Sequence, residues 1–140
     1  MDKNKIFFKT LPKVKVEEGD ILKIFNSKEQ IFNQFGEAYF SFIKKDKIKA
    51  WKLHKRITMN ISVPLGEVLF VFYSKENNNY EEFILGENNY GRLIVPPNKW
   101  FGFKGIHNEK SLIINITNEI HDPQEIKRLK LEDLDYKWFF

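Results

Sequence analysis

Two basic side chains, Lys52 and His54, stand two positions apart at the end of a predicted β-strand that starts at Lys47. Side chains two residues apart on a strand share a face, so this spacing brings an amine and an imidazole together. An imidazole accepts a proton near neutral pH, and a lysine does so once burial has lowered its pKa. A third such group, His121, precedes an Asp-Pro pair further along the chain. Side chains of these types could take part in proton transfer.

The pattern leaves open which face of the strand Lys52 and His54 occupy. In one interpretation both lie on the solvent side and Trp51 packs into the core. In the other interpretation both point into the interior of the fold. Regular alternation along the strand places Lys49 on the same face as Trp51 in either case.

A second informative stretch runs from Leu93 to Phe103 and reads LIVPPNKWFGF. Its two prolines cannot continue a central strand, because each lacks the backbone N–H that a strand ladder needs. We therefore expect a turn at residues 96–98, followed by a strand rich in aromatic rings. Such rings suit the mouth of a small β-barrel, which is a common place for ligands to bind.

Several other side chains fit a ligand that carries both a ring and a phosphate. Aromatic rings stack on bases and sugars, and lysine or arginine side chains bind phosphate. Asn115 lies in an apolar strand, where its amide needs a hydrogen-bond partner from either a neighbouring loop or a ligand. The residues expected to contact a substrate are Tyr39, Lys49, Arg56, Trp100, Phe101 and Asn115.

The composition is that of a single globular domain. The 140 residues are 42% hydrophobic and include 14 phenylalanines, which is enough for a substantial core. There is no cysteine, so the chain has neither a disulfide nor a thiol nucleophile. No signal peptide is visible, and no apolar run approaches the roughly 18 residues of a membrane span. We therefore expect a cytoplasmic protein without a membrane partner.

The charge balance favours an anionic ligand without requiring one. The formal net charge is +4, and basic residues cluster between positions 44 and 56. A solvated lysine-rich surface explains this charge as readily as an anion site does. No nucleic-acid-binding motif is present, so we expect no nucleic-acid partner.

Metal chemistry is not predicted. A cupin metal site needs two neighbouring histidines, a glutamate and a later histidine. The chain has only His54, His107 and His121, and the position two before His54 is Lys52. The chain is therefore expected to work without a metal or another cofactor.

Short strand-like segments dominate the chain and are separated by Gly, Pro and Asn. This pattern is typical of an all-β sandwich or barrel, here one domain over residues 1–140. Local patterns also predict a hairpin turn at residues 44–46 and pairing of Glu81–Leu85 with Gly91–Val95. One or two helical turns are predicted within Lys28–Phe35, and a short helical tail from about Pro123 to Leu134.

The order of several motifs resembles the dTDP-4-dehydrorhamnose 3,5-epimerase family, particularly its short, divergent members. The resemblance runs from about Gly19 to Trp138. It is carried by KAWKLH (Lys49 to His54), PLGEV (Pro64 to Val68), VPPNKWFGF (Val95 to Phe103), SLIINITNEIHDP (Ser111 to Pro123) and DLDYKW (Asp133 to Trp138).

The resemblance implies an antiparallel, cupin-type jelly roll that is metal-free and forms a homodimer. It implies a nucleotide-linked 4-keto-6-deoxy sugar as substrate, in the synthesis of cell-surface polysaccharides. In the family, a histidine removes the proton beside the ketone and a tyrosine on the far side returns one. A cation stabilises the enolate oxygen that forms between these two steps.

Carrying these roles over leaves two registers for the base. The family's base ends an Arg-Gly-Leu-His segment. Matching this segment to the residues from Lys49 onward puts Lys52 at the base position. Moving the match by two residues along the chain puts His54 there instead. The pattern favours the first register. In the same resemblance, Asn115 and His121 fall on the family's two tyrosines, and Phe101 falls on a later family histidine.

Two functions follow from these residues. The first is a sugar-nucleotide epimerase or isomerase in which Lys52, His54 and His121 run a proton transfer. The alternative is a non-catalytic protein that binds a sugar nucleotide or saccharide and has lost the family's base and acid. Exchange of a sugar C–H proton with solvent distinguishes the two.

Overall fold

The computed structural model describes residues 3–29, 34–107 and 109–139 and contains two five-stranded antiparallel sheets. The first sheet has the order β1-β9-β6-β11-β4, with strands Phe7–Thr10, Gly91–Val95, Met59–Leu65, Lys110–Thr117 and Glu37–Lys44. The second has the order β12-β5-β10-β7-β8, with strands Ile126–Arg128, Ile48–His54, Trp100–Gly105, Glu67–Ser74 and Asn79–Gly86. Strands β2 (Lys13–Val14) and β3 (Ile21–Leu22) form a small separate ladder.

The two large sheets enclose the main hydrophobic core. Strand β7 shows how, since its run of apolar residues is buried on both faces. Phe70 and Phe72 pack between the sheets, whereas Leu69 and Val71 pack on the outer face of the second sheet. The first sheet contributes the following residues to the main core: Ile43, Met59, Ile61, Val63, Leu93, Val95 and Ile113.

The end of the chain covers the outer face of the second sheet. Tyr136 and Trp138 pack there against Trp51, with ring centroids 6.3 and 5.5 Å from it. Strand β12 also pairs with β5, so β5 has a neighbour on each side. Because the outer face is covered, Trp51 is buried without entering the main core.

The predicted antiparallel jelly-roll architecture is confirmed as two packed sheets. The predicted turn at residues 96–98 is present, with Asn98 at a φ of 70°, and it carries the chain from β9 in the first sheet to β10 in the second. A residue with an amide side chain tolerates this left-handed conformation better than most.

Two predicted strand pairings are wrong. The turn at residues 44–46 does not close a hairpin, because β4 pairs with β11 while β5 pairs with β10 and β12. Strands β8 and β9 also do not pair, since β8 adds to β7 and β9 lies between β1 and β6. In both places the chain crosses from one sheet to the other instead of folding back on its neighbour.

The tail contains helical turns but no α-helix within the described residues. Two short 3-10 helices, Pro123–Glu125 and Leu131–Asp133, lie on either side of β12. Residues 126–128 are extended because they satisfy the hydrogen-bonding edge of β5. The helical turns predicted within Lys28–Phe35 fall partly on residues 30–33, outside the described part of the chain. None of the described helices is long and apolar enough to cross a membrane.

Candidate active site

A cavity of about 440 Å³ lies between the two sheets. This volume falls in the range of small-molecule sites, roughly 300–1,000 Å³. Apolar walls come from Met59, Ile61, Phe70, Phe101, Phe103 and Ile113, and polar groups from Tyr39, Ser41, Lys49, Lys52, Asn115 and Arg128.

A β-bulge in β5 decides which of its side chains reach this cavity. Phe101 of β10 pairs with Lys52, but the next residue, Gly102, pairs with Ala50, so Trp51 is the extra residue. Lys49 and Lys52 consequently both line the cavity although they are three positions apart. The expectation that Lys49 shares a face with Trp51 is therefore wrong, because the bulge resets the alternation between them.

The charged groups at the cavity are all cationic. Lys49, Lys52 and Arg128 are in its wall, and no carboxylate is among the described lining residues. The Nζ of Lys49 donates a hydrogen bond to the Phe42 carbonyl at 3.1 Å. An arrangement of this kind favours an anionic ligand or a developing negative charge.

Lys52 lies in an apolar and cationic setting. Its Nζ is 6.0 Å from the centre of the Phe101 ring. Burial is the largest cause of the lowered pKa of Lys52, and the positive charge of Arg128 is the next; Glu125 opposes them, and Lys49 adds the smallest lowering effect. The free amine is therefore more accessible here than at an exposed lysine.

His54 lies on the same face of β5 and forms a buried pair with Glu125. Its Nδ1 is hydrogen-bonded to the Glu125 carboxylate, and its ring stacks on Phe101 with centroids 6.0 Å apart. His54 is only 5% exposed, and its Nε2 is buried without a hydrogen-bond partner among the described residues. His54 does not line the cavity itself but lies beside Lys52, behind the Phe101 ring.

The protonation of this pair follows from its burial. Burial lowers the pKa of His54 and outweighs the opposing effect of Glu125. Burial acts to raise the pKa of Glu125, but hydrogen bonds from the Arg56 N–H and from His54 outweigh it, and the pKa of Glu125 is lowered. A neutral imidazole therefore donates its Nδ1 proton to an ionised carboxylate, and Nε2 is left as an acceptor.

A second polar pair lies on the opposite wall. Tyr39 of β4 and Asn115 of β11 are register partners, and Asn115 Nδ2 donates to the Tyr39 hydroxyl at 2.9 Å. The hydroxyl oxygen accepts this bond, so its own proton is free for a ligand. Burial raises the pKa of Tyr39, which keeps the hydroxyl protonated near neutral pH. The Asn115 Oδ1 is buried without a partner in the described part of the chain.

Three of the sequence-predicted residues lie away from the cavity. His121 is exposed, and its backbone N–H donates to Glu37. Arg56 is exposed and its guanidinium is paired with two carboxylates, Glu119 at 3.1 Å and Asp122 at 3.3 Å. Trp100 packs with Trp51 in the outer cluster, because alternation along β10 turns it away from Phe101.

Sequence reasoning missed two residues of the site, Glu125 and Arg128. Both belong to the polar segment after Pro123, where nothing in the spacing distinguishes them from surface charges. They reach the site because β12 pairs with β5, bringing Arg128 opposite Lys52 and residue 126 opposite His54. The described residues hold no group of three or more His, Cys, Asp or Glu side chains placed to bind a metal.

No family model matches this chain. A dTDP sugar isomerase from Desulfovibrio desulfuricans is 28% identical, with a TM-score of 0.90 over 95% of this chain and 90% of that chain. A probable low-salt glycan biosynthesis epimerase, Agl13 of Haloferax volcanii, is 27% identical over 116 residues, 78% of this chain and 74% of that protein. A 3,5-epimerase from Legionella pneumophila in complex with dTDP-4-keto-L-rhamnose has a TM-score of 0.81 at 16% identity, covering 97% and 79% of the two chains.

The fold is a cupin-type jelly roll with a cavity between its two sheets. The resemblance to the dTDP-4-dehydrorhamnose 3,5-epimerase family is confirmed, since structures of that family share this fold. The relatives that are 28% and 27% identical to this chain are a dTDP sugar isomerase and a probable glycan biosynthesis epimerase.

The first prediction concerns the buried carboxylate. Glu125 Oε2 accepts the backbone N–H of Arg56 at 3.0 Å and that of Ile57 at 3.3 Å, while Oε1 binds His54. Glu125→Gln replaces one acceptor oxygen with an NH2 group, so we expect the free energy of unfolding at pH 7.5 to fall by roughly 2–4 kcal/mol. Because the folded pKa of Glu125 is lowered, its contribution is present above the pKa of an unfolded glutamate and is lost as pH falls. The difference between the two proteins should therefore narrow below about pH 4.3.

Chemical denaturation at pH 7.5 and below about pH 4.3 measures the loss of stability and its narrowing at low pH. Glu119→Gln is the matched control in the same region, since this carboxylate is partly exposed and solvent screens its ion pair with Arg56. Equal stability of Glu125→Gln and Glu119→Gln at pH 7.5 would contradict the structural role of the buried pair.

Proposed function

We propose that this protein is a sugar-nucleotide epimerase or isomerase that acts on a nucleotide-linked 4-keto-6-deoxy sugar by cofactor-free proton transfer. The observation that carries this proposal is the pairing of groups across the cavity. Lys52 lines the cavity from one sheet, and Tyr39 lines it from the other. A ketone held between them has a basic group on one side and a proton donor on the other.

The charge of the cavity supports a nucleotide-linked substrate. A sugar nucleotide carries two phosphates, and the described lining offers three cations without a competing carboxylate. The same cations stabilise the negative oxygen that forms when a proton leaves the carbon beside a ketone. The Desulfovibrio relative is a dTDP sugar isomerase, and the Legionella structure holds a dTDP-linked 4-keto sugar, which supports the same class of substrate here.

The base that removes the proton lies on the side of the cavity formed by β5, where Lys52 and His54 share a face. Lys52 reaches the cavity, and its pKa is lowered by burial and by its cationic neighbours. His54 lies next to it as a neutral imidazole whose Nε2 has no hydrogen-bond partner among the described residues. His121, the third candidate from the sequence, has no place in this proposal because it lies outside the cavity wall.

Proton return belongs to the opposite wall. In the resemblance, Asn115 stands where the family has a tyrosine, and an amide cannot donate a proton to carbon. Tyr39 lies beside Asn115 on the neighbouring strand and brings a hydroxyl to the same wall. We infer that Tyr39 returns the proton and that Asn115 holds its hydroxyl and binds a sugar oxygen.

A second copy of the chain is expected on the outer face of β4. Alternation turns Tyr39 and Ser41 toward the cavity and turns Phe40 and Phe42 outward, where they are 66% and 50% exposed. β4 is an edge strand of its sheet, and exposed aromatic residues at an edge favour association. We propose a homodimer through this face. A cytoplasmic location and a role in polysaccharide synthesis stay predictions.

The activity is tested by proton NMR in deuterated water with dTDP-4-keto-6-deoxyglucose. We expect the signal of the C3 or C5 proton to disappear, because an isomerase must exchange it. Lys52→Met removes the amine but keeps an unbranched apolar side chain, and exchange should fall by at least about 100-fold. Lys47→Met, at an exposed lysine just before β5, is the control.

Absence of exchange in the unchanged protein would sink the proposal. If the sugar signals broadened without exchange, the protein would be a binding module instead. Thermal unfolding of both methionine variants shows whether a loss of exchange comes from misfolding.

Tyr39→Phe keeps the ring and removes the hydroxyl. We expect C–H exchange to continue, because proton removal uses the other wall, while formation of the new stereoisomer or keto isomer falls by about 10²–10⁴-fold. NMR separates the two quantities in one sample. Tyr73→Phe is the control, since that hydroxyl binds Asn78 away from the cavity. Equal loss of exchange and of product would assign Tyr39 to substrate binding instead.

The dimer is tested by sedimentation. The unchanged protein should sediment as a dimer, and Phe40→Lys together with Phe42→Lys should give a monomer that still folds. A control exchanges Ile120, which is also exposed, for lysine and should leave the dimer intact. A monomeric unchanged protein at micromolar concentration would contradict the proposed interface.

A further inference from the structure

Lys52 has an unusual combination of surroundings for a lysine. It is half-buried, and within the described residues its Nζ has neither an ion pair nor a hydrogen bond. Its neighbours are the Phe101 ring at 6.0 Å and the cationic groups of Lys49 and Arg128. Lys49, by contrast, donates to a backbone carbonyl. The Lys52 amine is thus the unengaged cationic group of the β5 wall.

An amine in this setting has the properties of a nucleophile. A lysine gains nucleophilic reactivity when it is desolvated or placed beside another cation, because both effects favour the neutral form. Both conditions hold at Lys52, where burial is the larger cause of the lowered pKa and Arg128 the next. A neutral amine attacks a ketone, whereas an ammonium does not.

We propose that Lys52 forms a covalent Schiff base with the ketone of the substrate. This inference rests on the proposed function, since it requires a keto sugar in the cavity. The Nζ lone pair bonds to the carbonyl carbon, and the C=O electron pair moves to oxygen, which takes up a proton. The resulting carbinolamine loses water and leaves a protonated imine between Lys52 and the sugar. No oxidant or reductant is consumed, and hydrolysis by one water restores the ketone and the free lysine.

The covalent bond changes what the rest of the site must do. The positively charged imine accepts the electron pair when the neighbouring C–H proton leaves, so an enamine forms instead of an enolate. With Lys52 attached to the sugar, His54 remains as a basic side chain on this face of β5 and lies next to the cavity wall. Its Nε2 is buried and unpartnered among the described residues, and Glu125 fixes the tautomer that leaves Nε2 free. The His54 ring and the Lys52 Nζ each lie 6.0 Å from the centre of the Phe101 ring, on the same face of β5.

Reduction traps the bond. The protein is incubated with dTDP-4-keto-6-deoxyglucose and sodium cyanoborohydride, which converts an imine to a stable secondary amine. Intact-mass analysis should show one adduct per chain, equal to the sugar nucleotide minus one oxygen. Peptide mapping should place the adduct on Lys52. dTDP-glucose, which has no ketone, should give no adduct.

Three variants support the assignment. Lys52→Met and Lys52→Arg should both lose the adduct completely, and the arginine variant keeps the positive charge. Lys47→Met should keep the adduct. Because mapping on the unchanged protein locates the adduct by itself, the result stands even if a Lys52 variant folds poorly.

A second readout follows the ketone oxygen. Formation of a Schiff base releases the ketone oxygen as water, and hydrolysis puts a solvent oxygen in its place. In ¹⁸O-labelled water the protein should therefore incorporate ¹⁸O into the ketone faster than the protein-free control does. The rate of this incorporation should at least equal the rate of C–H exchange. If C–H exchange occurs without an adduct and without faster oxygen replacement, the covalent step is wrong. The proposed function is then still supported, and Lys52 acts as a base only. An adduct on Lys52 without C–H exchange supports the covalent step and overturns the proposed isomerase. An adduct that maps to exposed lysines alone also overturns the inference.

Discussion

The bulge at Trp51 sets which side chains of β5 enter the space between the sheets. A regular strand would place Lys49 and Lys52 on opposite faces, and one of them would lie in the outer cluster with Trp51. The extra residue lets both lysines line the cavity while the Trp51 ring packs in the outer cluster. Placing Lys52, half-buried, beside Lys49 and Arg128 with no carboxylate among the described lining residues opposes folding, because like charges repel one another and Lys52 loses hydration. Arrangements of this kind, which stability alone does not favour, are expected at functional sites.

The end of the chain makes this arrangement possible. It covers Trp51 with Tyr136 and Trp138, so the ring has an apolar environment outside the main core. It supplies β12, which pairs with β5 and converts a sheet edge into an internal strand. It also supplies Glu125, which satisfies two backbone N–H groups as well as His54. The wall that carries Lys52 and His54 therefore depends on residues about 70 positions away.

The opposite wall shows how neighbouring strands can share a task. In the resemblance, Asn115 falls at the position of a family tyrosine, and the hydroxyl of Tyr39 lies 2.9 Å from the Asn115 amide. Register partners on antiparallel strands bring their side chains together, so a hydroxyl moved from β11 to β4 stays in nearly the same region of the cavity. Under the proposed function, the chemistry depends on this position in space and not on the position along the chain.

The sequence by itself determined the strand-rich class, the turn at residues 96–98 and the resemblance to sugar-nucleotide epimerases, because these rest on local patterns and ordered motifs. It also predicted Lys52, Asn115 and Phe101 as site residues, and all three line the cavity. Tertiary structure alone decided the strand partners. The turn after Lys44 forms as predicted, but its two strands join different sheets, because sequence neighbours in a jelly roll need not pair. Tertiary structure alone also placed Lys49 beside Lys52, because a bulge breaks the alternation on which sequence reasoning relies. It alone placed Glu125 beside His54, because a contact between residues far apart in the chain leaves no local pattern.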